Sequence, residues 1–395
     1  MDRSKWEYKK LGEVATFERG LTYSKGDEAT FSSKGVLRSN NIDLDTHQLV
    51  FDEIKYLNPN FVIPESKKLK KDSIFICMSN GSKAHLGKVA FADKDYDYAF
   101  GGFMGMIVPK DIYPRYLFYY FLSHNYRNGL EQVGKGANIN NLRFAQLAEF
   151  MVPTPFISDQ QRIVAELDCL NEMIAVKQEQ LKEFDKLAQS IFYDMFGDPV
   201  ANEKGWEKSN LKDVCSKIND GTHNSPVNEE TGDYMYVTAK NIKKDGIILD
   251  SITYVSESIH RQIYVRCNPE YGDVLYIKDG VTTGIATINT LKEEFSLLSS
   301  VALLKPGTSI INYYLKAVLN TPSMYNLIRS DMGGVAITRL TIAKINKISI
   351  PLPPLSLQQQ FAEKISAIEA QKELVKQSIA ETQALLDYTM DKYFG

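Results

Sequence analysis

The sequence predicts an α+β protein built as two tandem globular units, each followed by one long helix, with the two helices paired. Three observations carry this. Landmarks of the first half return in the second. A heptad-like run closes each half. Short β-rich stretches alternating with amphipathic helices precede each run, the pattern of an α+β unit.

The repeat comes first, because a duplicated chain must be read as two units. Trp6 and Trp206, Leu11 and Leu211, Val14 and Val214, and Asn41-Ile42 and Asn241-Ile242 stand at one offset. The stretches 136–142 and 334–340 match at a nearly identical one, as do the runs 152–196 and 350–394. Two long copies make a duplication rather than a solenoid.

In the first run Ile163, Leu167, Leu170, Ile174, Lys177, Leu181, Phe184, Ala188, Ile191 and Met195 are spaced by alternating steps of four and three. The second run gives Phe361, Ile365, Ile368, Lys372, Val375, Ile379, Thr382, Leu386, Thr389 and Tyr393. A sustained four-three pattern calls for a partner helix. Two independent core helices are the plainer reading of one such run, but two matched runs favour a pair. About 36 residues make a rod of roughly 54 Å. Pro153 and Pro155, and Pro351, Pro353 and Pro354, hold extended backbone before each helix. Ser158 with Gln161 and Ser356 with Gln359 have capping-box spacing. Lys177 and Lys372 interrupt the seams at unmatched positions, where a polar residue can fix register.

Within the first half, residues 11–17 read as a short helix or strand and 20–34 as a polar loop. Residues 36–38, 73–78, 87–92 and 103–108 have strand composition. Residues 113–124 and 142–148 read as helices, with a Gly/Asn loop at 134–141. The second half predicts strands at 234–238, 274–278, 284–289 and 300–304, a helix at 311–319 and a loop opened by Gly333-Gly334. A boundary falls near Gly197-Asp198-Pro199, where glycine and proline follow a helix.

The chain has 395 residues, 44% apolar and 24% charged, with 22 tyrosines and a net charge of −3. This is the composition of an ordinary soluble protein. It excludes a uniformly basic surface but not a local basic groove. Cys77, Cys169, Cys215 and Cys267 are widely spaced, which predicts reduced, packed thiols and a cytoplasmic setting. No secretory leader or membrane span is expected.

Catalytic signatures are weak. The phosphate-loop pattern is missing. Asn268-Pro269-Glu270-Tyr271 distantly resembles the Asn-Pro-Pro-Tyr of amino-methyltransferases but lacks a preceding glycine-rich loop, so a turn is expected. Asp43 or Asp45 with Glu53 and Lys55 can be forced into a nuclease pattern, but the second half lacks its match. The five histidines show neither metal nor triad spacing. No catalytic residue and no metal ligand is predicted.

Binding signals are stronger as a set. Arg19, Tyr23 and Lys25 share one loop, Arg38 and Asn40 a second, Asn80, Ser82, Lys83 and Lys88 a third, and Lys135, Asn138, Asn140 and Arg143 a fourth. The second half offers Thr222, His223 and Asn224; Lys240, Asn241 and Lys243; Lys278, Thr282 and Thr283; and Arg339. Arg and Lys suit guanine edges, Asn suits adenine, and hydroxyls suit phosphate. A solvated loop is the plain reading of any one of them. Their recurrence in equivalent places gives the set weight, and differences between halves then suit unlike half-sites. A self-sufficient DNA methyltransferase or nuclease, and a scaffold without a DNA role, are the competing readings.

The duplicated phrases Met151-Val152-Pro153-Thr154-Pro155 with Gln160-Gln161-Arg162-Ile163, and Ile350-Pro351-Leu352-Pro353-Pro354 with Gln358-Gln359-Gln360-Phe361, make the whole chain resemble the specificity subunits of type I restriction–modification systems. Trp6-Glu7, the stretch 11–14 and the stretch 136–142 fit the same pattern. The resemblance implies two target-recognition domains, 1–152 and 198–350, with helical spacers at 153–197 and 351–395 packed as an antiparallel coiled coil. It implies a non-catalytic chain that reads a bipartite, asymmetric site on double-stranded DNA. Two methyltransferase (modification) subunits and restriction/translocase subunits would dock on the helices, forming an adenine-specific DNA methyltransferase and ATP-dependent endonuclease. No cofactor is expected in this chain; S-adenosylmethionine, ATP and Mg would belong to the partners.

Overall fold

The computed structural model describes residue 3 and residues 6–133, 141–330 and 339–395. The chain divides into two compact units, Met1–Gln178 with Gln377–Gly395, and Glu179–Lys376. Each is α+β, and each contains half of both long helices, Ile157–Phe196 and Leu355–Phe394.

In the first unit, strand Glu7–Lys10 pairs antiparallel with Met151–Thr154, so the start of the unit closes on the segment before the long helix. Residues 11–17 contain both predicted elements. Helix Leu11–Val14 buries Leu11 and Val14, and strand Ala15–Arg19 follows. That strand heads an antiparallel sheet in the order Ala15–Arg19, Met104–Pro109, Ile74–Cys77, Val89–Phe91. Strand Ile74–Cys77 is buried on both faces, which explains its unbroken apolar run. A second sheet joins Glu28–Ala29, Lys55–Leu57, Gly35–Leu37 and Ala99–Phe100. Helix Pro114–Leu122 covers the first sheet with Tyr116, Leu117 and Phe121, and proline opens it where no N–H is needed.

The second unit repeats the sheet as Cys215–Asp220, Val301–Pro306, Val274–Ile277, Ala286–Ile288, and the covering helix as Asn312–Asn320. Its distinct addition is helix Glu257–Arg266. The corresponding stretch of the first unit holds only the short turn Glu65–Lys67. The sequence reading missed this helix, because its apolar face is thin.

Within each unit the helix pairing is antiparallel. In the first, Lys177 Nζ donates to Thr382 Oγ1 at 2.7 Å while Tyr393 Oη donates to Glu166 Oε2 at 2.6 Å. In the second, Phe361 meets Phe192 and Phe196, with ring centroids 5.8 and 5.3 Å apart, while Lys372 Nζ reaches Asp185 Oδ1 at 2.6 Å. Ile163, Leu167 and Leu170, and Phe361, Ile365, Ile368 and Leu386, are buried as the four-three pattern requires. Ile174, Leu181, Phe184, Ile191, Val375 and Ile379 are half-buried. At the end of the first helix the buried face passes to Phe192 and Phe196, one residue beyond the predicted Ile191 and Met195. A straight helix drifts from the heptad period, and these rings enter the core of the second unit.

The capping-box expectation is corrected. Ser158 and Ser356 lie inside their helices, and the first turns begin on the Phe156 and Pro354 carbonyls. The preceding glutamine does the anchoring. Gln160 accepts from Tyr113 N at 2.8 Å and donates to Pro155 O at 2.8 Å. Gln358 accepts from Ile311 N at 2.9 Å and donates to Pro353 O at 2.9 Å. Each buried amide thereby ties the start of a long helix to the start of a covering helix, satisfying an orphan N–H there.

Lys372 is 3% exposed and also faces Asp245 and Glu369. Burial opposes its charge, but the carboxylates outweigh burial and hold its pKa above the ordinary lysine value. Asp245 lies on the turn between strands Ile242–Lys243 and Gly246–Ile247, so this ammonium links that hairpin to the helix. Lys372→Leu is expected to change unfolding stability by less than about 1 kcal/mol, since the carboxylates it leaves, Asp185, Asp245 and Glu369, are partly exposed and keep water as a partner. Amide exchange of residues 242–247 should nevertheless quicken. Unchanged exchange there would show that the lysine is a tolerated exception in the seam.

Candidate nucleic-acid interface

In the first unit the fold gathers several predicted loops into one cleft of about 990 Å3. Strand Ala15–Arg19 delivers Arg19 to its rim, and the turn after Gly35–Leu37 delivers Arg38 and Asn40. Asn80 enters from the turn after Ile74–Cys77, and Tyr23 from the loop facing it. Gly20 makes this convergence possible. A Cβ there would lie 1.9 Å from the Gly101 carbonyl.

The cleft's polar groups are held from behind. Asn41 Oδ1 accepts from Arg38 N at 2.8 Å, and Asn41 Nδ2 donates to Val50 O at 2.9 Å, which fixes the turn carrying Arg38 and Asn40. Asn80 Nδ2 donates to Ser39 Oγ at 3.1 Å, joining two loops. Asn40 Nδ2 donates to Glu53 Oε2 at 3.2 Å, and Lys55 pairs with Glu28 at 2.6 Å. Burial pushes the Tyr23 phenol up, with the Arg38 guanidinium pulling the other way. The amides and cations therefore sit in a cleft whose acids already have partners.

Other predicted residues fall elsewhere. Lys25 sits on the exposed turn Lys25–Asp27, Ser82 is exposed with its N–H capped by Asn80 Oδ1, and Lys83 opens the turn Lys83–His85. Arg143 is exposed before helix Phe144–Ala148. Lys135, Asn138 and Asn140 lie outside the described residues, as does most of both Gly-rich late loops.

Four predictions are corrected by burial. Lys88 is 2% exposed and donates to Ile42 O at 2.9 Å, with burial lowering its pKa. Lys278 is 1% exposed between Asp220 and Asp279, at 3.4 and 3.2 Å. Asn241 repeats the role of Asn41, accepting from Thr238 N at 3.0 Å and donating to Ile248 O at 3.2 Å. Thr283 is buried and donates to Gly280 O at 2.7 Å. These side chains hold the loops in place and cannot reach a duplex. Loop composition alone does not say which polar residue turns inward.

The second unit carries different polar groups, and its cleft lies against the extra helix. Buried Asp220 receives Arg266 and faces His223 Nε2 at 3.4 Å. Arg339 Nε lies 3.3 Å from Asp279 Oδ1. Thr222, Asn224, Gln262 and Arg266 line a cleft of about 420 Å3, and Lys240, Lys243 and Thr282 are exposed on neighbouring turns. Arg266 and Gln262 belong to the unpredicted helix, so the sequence reading missed them. It also missed Phe103, 73% exposed in the first cleft, and Val281, 87% exposed beside Thr282.

The residues of the weak catalytic patterns make local hydrogen bonds. Asp43 caps its own turn through Thr46 and Asp45, and Asn268 accepts from Lys217 Nζ at 2.7 Å. Among the described residues no three His, Cys, Asp or Glu side chains form a metal-holding group, and no helix is long and apolar enough to cross a membrane. Cys77 and Cys267 are packed as predicted, whereas Cys169 is exposed.

The fold is one α+β scaffold built twice, with unlike polar side chains in the clefts of its two copies. The family described as type I restriction modification DNA specificity domain matches residues 3–184 and again 203–384. The chain belongs to this family and carries two tandem specificity domains. It is 23% identical over 406 aligned residues to the EcoKI specificity subunit of Escherichia coli (strain K12), covering 95% of this chain and 84% of that one. It is 26% identical to the MjaIX specificity subunit of Methanocaldococcus jannaschii, covering 71% and 68%. The StySPI specificity subunit of Salmonella potsdam is 31% identical over 46% of this chain and 40% of its own. The solved S subunit from M. genitalium shares the fold at a TM-score of 0.54 and 14% identity, covering 99% and 96%. A chain from a type I R-M system assembly does so at 0.59 and 20%, covering 98% and 97%.

Proposed function

We propose that this chain reads the two halves of an asymmetric, interrupted site on double-stranded DNA, in the cytoplasm, as the specificity subunit of a type I restriction–modification complex. The observation that carries the reading is the first cleft, where Arg19, Arg38, Asn40 and Asn80 converge. Arginine can grip guanine and asparagine can grip adenine in a bidentate manner. The second unit offers a different set on the same scaffold, as two unlike half-sites need. Exposed Lys25 and Lys240 suit phosphate contacts that position without selecting.

The chain does no chemistry in this proposal. Two modification subunits dock on the long helices and bring S-adenosylmethionine, and restriction/translocase subunits bring ATP and Mg. Each helix exposes apolar side chains at matched repeat positions, Val176 with Leu374 and Leu187 with Leu385, which suits two equivalent docked copies. The relatives support a specificity role over a self-sufficient enzyme.

The test is to map N6-methyladenine in a genome expressing this chain with a modification subunit. A two-part asymmetric motif is expected. Arg38→Ala with Asn40→Ala should relax one half-site only and lower methylation of that motif by about 30-fold or more, since each of the two bidentate pairs contributes roughly 1–3 kcal/mol. Methylation that ignores this chain, or relaxes in both half-sites, would overturn the assignment.

A further inference from the structure

Phe103 projects from the wall of the first cleft, where the fold itself makes no demand for a ring. Its side chain is 73% exposed among Arg19, Arg38, Asn40 and Asn80. Of the other exposed phenylalanines of this unit, Phe31 lies 5.0 Å from Tyr56 and Phe51 lies 5.5 and 5.4 Å from Tyr96 and Tyr98, while Phe156, just before the long helix, has no ring neighbour among the described residues. Phe103 has no such ring neighbour among the described residues.

Its backbone, in contrast, is pinned. The Phe103 carbonyl accepts from Met78 N at 2.9 Å and Ser79 N at 3.1 Å. On either side Gly101 N donates to Leu37 O at 2.9 Å and Met104 N to Gly101 O at 2.8 Å. The ring is thus presented on a rigid mount, so little backbone entropy is left to lose on contact.

The second unit builds the same turn without a ring. There Lys278 N donates to Ser300 O at 2.9 Å, as Met78 N does to Phe103 O. Thr222 N donates to Leu297 O at 2.8 Å, as Leu21 N does to Phe100 O at 2.7 Å. The Ser300 hydroxyl turns inward and accepts from Ala239 N at 3.2 Å. The turn therefore closes equally well on serine, and Phe103 is not explained by packing.

We propose that Phe103 is an aromatic wedge that enters the first half-site and packs on the face of a base parted from its neighbour. This rests on the DNA-reading function proposed above and adds a mechanism to it. Apolar side chains inserted at base steps unstack and bend the duplex, and an aromatic ring stacks on any base. Phe103 then selects by deformability while Arg38 and Asn40 read edges. A flexible pyrimidine–purine step, TA or CA, is expected opposite the ring.

The test uses the complete complex with its modification subunits on the mapped target. Duplexes carry 2-aminopurine at each position of the first half-site other than the methylated adenine. The wild type is expected to brighten one position severalfold. Phe103→Ser, which places in the turn the residue type the other unit uses, should abolish that rise and weaken binding roughly tenfold or more, while Phe103→Trp should keep both. If the wild type binds selectively but brightens no position, or Phe103→Ser keeps the rise, the wedge is overturned and the reading function stands. If the wild type fails to distinguish its mapped site from a scrambled duplex, both fall together.

Discussion

Replacing Phe361 by alanine is expected to destabilise the second unit by about 3–5 kcal/mol. Phe361 is 1% exposed and packs edge-on against Phe192 and Phe196. Phe196 in turn meets Tyr314 of the covering helix at 4.8 Å. Truncation removes one ring of a four-ring cluster, in contact with the two at its centre, and leaves a cavity in the core. Aromatic pairing adds about 0.5–1.5 kcal/mol per pair beyond area burial. The loss is a large share of the 5–15 kcal/mol that stabilises a typical domain. It should be read by hydrogen exchange of the buried strands Val274–Ile277 and Val301–Pro306 in the full chain, with half-exposed Leu355→Ala as the control. A loss below about 1 kcal/mol would show that the helix pair and the globular core are not one cooperative cluster.

Adding one heptad to each long helix is expected to lengthen the non-specific spacer of the methylated site while leaving both half-sites unchanged. The insertions belong after Gln178 and after Lys376, where each helix passes from one unit to the other. Seven residues add about 10.5 Å of helix and turn the seam by only about 20°. The seam therefore keeps facing its partner, and Lys177 keeps Thr382 while Lys372 keeps Asp185. At about 34 Å per turn of B-DNA, the spacer should grow by up to roughly 3 base pairs. Inserting four residues instead should break the pairing, because it rotates one end of the seam by about 40°. Methylome sequencing of the two variants checks this. An unchanged spacer in a stable heptad variant would sink the idea that the helices measure the site.

The two corrections of most consequence have one cause. Lys88 and Lys278 stand in polar loop contexts that read as DNA-facing, yet both ammonium groups point into the protein. A lysine's stem reaches either way, and only the packed neighbours decide whether its head meets a carbonyl inside or solvent outside. Asn41 and Asn241 show the same ambiguity resolved twice in one direction, each closing its turn from within. The helix starts add a third instance. Ser158 and Gln161 have the spacing of a cap, but Gln160, one residue earlier, holds the junction.

The sequence by itself determined the duplication, the α+β class, the two long helices and the loops in which candidate readers lie. These follow from periodicity and spacing, which local chemistry imposes on any chain that must bury a stripe of apolar side chains. The tertiary structure alone decided which loop residues converge on the first cleft, that Arg266 enters the second on an extra helix, and that Phe103 stands exposed where Ser300 turns inward. Those outcomes depend on close approaches between segments far apart in the chain, such as Gly20 against Gly101, and no local pattern encodes a distance between them.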